Sequence, residues 1–113
     1  MSKHVAVYVR VSSKAQDHRS QLPDLERWVK DQDEPVKWYE DKWTGKTMNR
    51  PGWNQVEEAM RGGRISKVVT WRIDRLGRTT VGLCRLFEKL QTQKIDLISL
   101  RDGFELNSPA GRH

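Results

Sequence analysis

Three short polar clusters hold the residue types that could do chemistry: Arg10, Ser12 and Ser13; Asp41, Thr44 and Arg50; Asp74, Arg75 and Arg78. Together they offer hydroxyls, arginines and two carboxylates, with no histidine among them. That set suits a phosphate better than a carbonyl. A guanidinium grips two phosphate oxygens through paired hydrogen bonds and keeps its charge at any working pH. A serine in such a place can serve as a nucleophile. Each cluster also has a plainer reading. Ser12-Ser13 after a strand is ordinary loop punctuation. Asp74 and Arg78, four apart, would make a surface helix pair worth about 0.3–0.5 kcal/mol. Arg50 beside Pro51 would cap a loop. The combination favours the chemical reading.

The elements that must position these clusters alternate in type. Val5, Val7, Val9 and Val11 read as one face of a strand, with Tyr8, Arg10 and Ser12 on the other. A polar loop over 13–20 precedes a helix with Leu22, Leu25, Trp28 and Val29 at helical spacing and Pro23 in its first turn. Val36–Tyr39 is a short strand, and 41–50 a polar loop turning at Gly45. Pro51 opens a helix with a Trp53, Val56, Met60 stripe that Gly62-Gly63 stops. Val68–Trp71 is a third strand. Thr79 or Thr80 caps a helix bearing Leu83, Leu86, Phe87 and Leu90, and Ile95–Leu100 is a fourth strand. This order implies an α/β fold, a largely parallel central sheet of four or five strands flanked by helices. In such sheets ligands gather beyond the C-terminal strand ends, where all three polar clusters fall.

The chain's 113 residues are one domain's worth, and its five tryptophans and scattered Leu/Val runs suffice for one core. No apolar run approaches the roughly 20 residues of a membrane span, and Arg10 interrupts the N-terminal valines. Cys84 is the lone cysteine, which excludes an internal disulfide and fits a reducing compartment. His4, His18 and His113 lie far apart, with no metal-ligand spacing. The net charge of +6 favours an anionic partner, most simply nucleic acid. Asn107–Ala110 reads as a helix start, with Ser108 as N-cap and Pro109 at the first helical position, and the sequence stops three residues later, so the domain is expected to occupy 1–107, with 108–113 the cut beginning of another helix.

The run Tyr8-Val9-Arg10-Val11-Ser12-Ser13 resembles the opening of the serine recombinases, the resolvase/invertase family. Asp74-Arg75-Leu76-Gly77-Arg78 is similar to that family's Asp-Arg-Leu-x-Arg signature. Asp41-Lys42-Trp43-Thr44-Gly45 and Asn49-Arg50-Pro51-Gly52 match two intervening segments, and Gln16 and Gln21 fall where the family carries glutamines. Order and spacing agree from about residue 5 to 105.

The resemblance implies a resolvase-like catalytic domain that cleaves and rejoins DNA by transesterification, without a cofactor or metal. Ser12 would be the nucleophile, leaving a 5′-phosphoseryl link and a free 3′-hydroxyl. Arg10, Arg75 and Arg78 would bind the scissile phosphate, and Arg50 would support them. Asp74 would orient an arginine or assist proton transfer. Gln21 and Asp41 would hold loop and phosphate in register. The family implies DNA as partner, dimers and tetramers of the full-length protein, and a cytoplasmic, nucleoid-associated place in a bacterial, phage or mobile-element host. A fragment ending before the long oligomerisation helix is expected to be a monomer or weak dimer. The rival readings are a non-catalytic interaction or DNA-binding fragment of the same fold, and a small-molecule phosphate binder. The second lacks a Gly-rich loop after the first strand, where Ser12–Gln16 stands.

Overall fold

The computed structural model describes residues 3–12, 15–43, 50–76 and 79–107, with the backbone alone at 12, 15–18 and 43. Five strands form one sheet: β1 (His4–Ser12), β2 (Val36–Trp43), β3 (Ile65–Thr70), β4 (Asp96–Ser99) and β5 (Phe104–Glu105). Their spatial order is β2-β1-β3-β4-β5. The first four are mutually parallel and β5 returns antiparallel to β4. The helices are α1 (Ala15–Lys30), α2 (Pro51–Arg61) and α3 (Thr80–Thr92), and a single 3₁₀ turn, Ile73–Leu76, follows β3.

The alternation in β1 decides the layering. Val5, Val7, Val9 and Val11 pack with Leu25, Val69 and Ile98, flanked by Leu22, Trp28 and Val29 of α1. Ala6 and Tyr8 turn to the other face, against Trp53, Val56 and Met60 of α2 and Leu86 and Leu90 of α3. Each fully buried side chain of this size stabilises the fold by roughly 1.5–3 kcal/mol relative to exposure. The two faces therefore need each other: a one-residue slip of β1 would exchange them.

Several element limits differ from the sequence expectation; β3, for one, starts at Ile65 rather than Val68. Helix α1 begins at Ala15, so most of the expected loop is helical and Pro23 lies at mid-helix rather than in the first turn. Gln21 is level with Arg10, since its Nε2 donates to the Arg10 carbonyl at 3.2 Å. Residues 16–20, which precede it, are all polar, so no apolar stripe betrays this part of the helix. Strand β2 runs on to Trp43 and contains Asp41, which the sequence places in a loop. It pairs with β1 through Ser12↔Trp43, and as an edge strand it tolerates the charged run Glu40-Asp41-Lys42 that conceals it. β5 is a two-residue strand entered through Gly103, whose φ of +62° suits a residue without a side chain. Thr79 caps α3 as expected, its hydroxyl accepting the Gly82 N–H at 3.0 Å.

Candidate active site

The parallel register of β1, β2 and β3 delivers their C-terminal ends to one edge of the sheet. Ser12 is the last residue of β1, two residues after Arg10. Asp74 and Arg75 lie in the 3₁₀ turn directly after β3, and Arg50 directly precedes α2. Ser13, Thr44 and Arg78 lie outside the described residues, as does the Gln16 side chain.

Arg50 fastens this edge. Its Nη2 donates to the Tyr8 hydroxyl at 3.0 Å and also to the carbonyl of Leu76, joining β1 to the turn that carries Asp74 and Arg75. The guanidinium lies 5.7 Å from the ring centroids of both Tyr8 and Trp53, close enough for cation–π attraction. Its side chain makes no capping bond to α2. Nε of Arg50 is buried and has no hydrogen-bond partner among the described residues.

Asp41 does what Arg50 does not. Its Oδ1 accepts the Gly52 N–H at 2.7 Å, and its Oδ2 accepts the Trp53 N–H at 2.9 Å. A residue of β2 thus satisfies two donors that the start of α2 would otherwise leave open. Oδ2 also accepts the Tyr8 O–H at 2.6 Å. Asp41 is only 4 % exposed, so these partners replace water. Burial first, and then the Asp41 hydrogen bond, push the Tyr8 hydroxyl up to about 12. A neutral Tyr8 can donate to Asp41 and accept from Arg50 at once.

Gln21 is fully buried, and its bond to the Arg10 carbonyl ties α1 to β1 just before Ser12. Asp74 is largely exposed, with Oδ1 3.9 Å from Nε of the half-buried Arg75. Sequence reasoning assigned no role to Asp102. Its Oδ2 accepts the Ile73 N–H at 2.8 Å and the Ser99 hydroxyl at 2.6 Å, which fixes the turn bearing Asp74 and Arg75 against β4. The Ser99 bond, the Ile73 bond and nearby Arg72 hold its carboxyl below the ordinary value of 3.8. The Asp102-Gly103 pair after β4 was the available signal, since it marks a turn. Among the described residues, no three His, Cys, Asp or Glu side chains group as a metal ion would require.

Among known proteins, a family described as "Resolvase, N terminal domain" matches residues 5–113. The chain is 38 % identical over 74 residues to a DNA-invertase of Escherichia phage P1, covering 66 % of this chain and 39 % of that protein. It is 31 % identical over 105 residues to the DNA-invertase hin of Salmonella typhimurium, covering 93 % and 52 %. The chain thus spans about half or less of these curated relatives. Its fold is similar to that of the N-terminal catalytic domain of TP901-1 integrase, with a TM-score of 0.81 at 24 % identity over 97 % of this chain and 87 % of that one. The product of the first ORF in transposon ISC1904 of Sulfolobus solfataricus P2 aligns with a TM-score of 0.70 at 29 % identity, over 85 % and 66 %.

Proposed function

The chain belongs to the resolvase N-terminal domain family, and on that premise we propose that it is the catalytic domain of a DNA recombinase in which Ser12 attacks a phosphodiester. A bond forms between Ser12 Oγ and phosphorus as the bond from phosphorus to the 3′-oxygen breaks. The serine loses its proton and the departing 3′-oxygen gains one. The phosphodiester energy stays in the protein–DNA link, so rejoining reverses the same step.

One observation carries this reading: Arg50 bonds both Tyr8 of β1 and Leu76 beside Arg75, so the strand that ends in Ser12 and the turn with Asp74 and Arg75 are held as one unit. Arg10, Arg75 and Arg78 bind the phosphate and stabilise charge on its oxygens in the transition state, and Arg50 supports them. Asp74 orients Arg75 or assists proton transfer. Gln21 and Asp41 keep β1, α1 and α2 in register around the site.

Within the whole protein, 1–107 is the catalytic unit, and the full-length protein acts as dimers and tetramers. Its partner is DNA, in the cytoplasm of a bacterial or phage-infected cell. Among the described residues no helix is long and apolar enough to cross a membrane.

The test joins this chain to the C-terminal half of the Salmonella invertase and supplies 3′-labelled duplex carrying that protein's site. A denaturing gel should show protein joined to the 5′ end at the break. Ser12→Ala should abolish the adduct and leave DNA binding nearly intact, while Ser13→Ala should retain it. An adduct that survives Ser12→Ala, or none from the unmutated fusion, overturns the reading.

A further inference from the structure

Beyond the reacting phosphate, the strand-end edge carries two arginines, Arg72 and Arg101, that the proposed chemistry does not use. Trp71 follows β3 directly and is 8 % exposed. Three guanidinium groups surround its ring, those of Arg72 at 4.7 Å, Arg75 at 5.8 Å and Arg101 at 5.9 Å from its centroid. Trp71 is held from both sides of the fold. Its ring Nε1 donates to Asp24 Oδ2 of α1 at 2.9 Å, and its backbone carbonyl accepts the Arg101 backbone N–H at 2.9 Å. Arg72 and Arg101 are exposed. No hydrogen bond or ion pair among the described residues engages either side chain.

We propose that Arg72 and Arg101, laid against Trp71, form a second phosphate-gripping surface that receives the backbone of double-stranded DNA flanking the cleaved bond. The proposal rests on the reading of this edge as a DNA-cleavage site and extends it along the sheet. Stacking on an indole removes water from one face of a guanidinium and restricts its rotamers, while its forked N–H groups remain available at the rim. Two carboxylates stand nearby, and both hold the framework. Asp24 is bonded to Trp71 and paired with Arg27, and Asp102 is bonded to Ile73 and Ser99. Val7, Val69 and Ile98 stand level across β1, β3 and β4, so β4, which leads into Arg101, lies two strand spacings, roughly 10 Å, from β1 at that level. Arg75 touches both regions, since it follows β3 between them. The buried ring offers no face for a base to stack on, so the surface reads phosphates and not sequence.

The experiment titrates this chain onto a fluorescent duplex at about 50–200 mM salt, because each phosphate contact contributes about 0.9 to the slope of log K against log salt. Arg72→Gln with Arg101→Gln should lower that slope by about 2. Arg61→Gln with Lys94→Gln removes the same charge near the opposite strand ends, at the end of α2 and before β4, and should leave it unchanged. An unchanged slope in the first pair, or an equal fall in both, overturns the proposal. The unmutated chain supplies a second measurement that needs no folded variant. Duplex DNA should protect Arg72 and Arg101, and not Arg61, from phenylglyoxal as read by peptide mass spectrometry; equal labelling with and without DNA overturns it. The Ser12 adduct is scored separately. An adduct with no salt effect defeats this surface alone, and a salt effect with no adduct defeats the cleavage reading alone.

Discussion

The carboxylate of Asp102 accepts the backbone N–H of Ile73 at 2.8 Å, so the turn after β4 holds the turn after β3. Its carboxyl sits below the ordinary value of 3.8, which means that folding favours the charged form. The stability it contributes is present above that value and is lost as pH falls through the lower folded value. Urea midpoints should therefore drop more steeply below about pH 4 in the unmutated chain than in Asp102→Asn. Identical acid limbs would contradict the role given to this bond.

Asp41→Ala should cost about 3 kcal/mol, because it strands the N–H groups of Gly52 and Trp53 and the Tyr8 hydroxyl inside the fold. Asp41→Asn should cost less, since one amide oxygen can still accept. Equilibrium urea unfolding measures both, and a loss under about 1 kcal/mol for the alanine would show that water replaces the carboxylate.

Gly52→Ala tests how closely α2 approaches β2. An added Cβ would stand 2.5 Å from the Glu40 carbonyl oxygen and 2.9 Å from its carbon. Both are backbone atoms, so the helix must move. Despite alanine's better helix propensity, the variant should be less stable by about 1–3 kcal/mol. A thermal midpoint at or above that of the unmutated chain would mean that the approach is looser.

Tyr8 and Tyr39 both have hydroxyls raised above 10.0, Tyr8 to about 12. The unfolded chain releases these protons near 10, and the folded chain holds them longer. Stability is therefore complete below pH 10 and declines as pH rises toward 12. Absorbance titration should show Tyr8 still neutral at pH 10 in the native state, and Tyr39 ionising above its ordinary value. Tyr8→Phe should flatten the alkaline decline.

In the fusion to the invertase half, Arg75→Ala should reduce cleavage by roughly 10²–10³-fold while DNA affinity changes little. Arg75→Lys should rescue poorly, because an ammonium cannot present a planar fork to two oxygens. Single-turnover adduct formation measures this, and equal losses of cleavage and affinity would assign Arg75 to binding alone.

The sheet was legible because valines at every second position of β1 leave one arrangement that buries them. The stripes of α2 and α3 were legible for the same reason. The start of α1 was not, since residues 16–20 are all polar and display no apolar face. The end of β2 was hidden by charges that an edge strand tolerates. Within the site, residue types and order pointed to Ser12 and the arginines. The framework around them escaped, because bonds such as Tyr8–Asp41, 33 residues apart, follow no local period. Asp102 was visible only as half of a turn.

The interior place of β1 bears on how the chain is made. His4 pairs with Ile65 and Val7 with Val69, so one flank of the first strand waits for a partner about half the sequence away. At ordinary translation speeds that wait is on the order of several seconds. Throughout it, a valine-rich ribbon leaves the ribosome with an open hydrogen-bonding edge. Helix α1, synthesised next, can shield the valine face early, but it leaves that edge open. Nascent chains stalled before Ile65 should therefore be the aggregation-prone and chaperone-dependent ones, and those released after Leu76 should not.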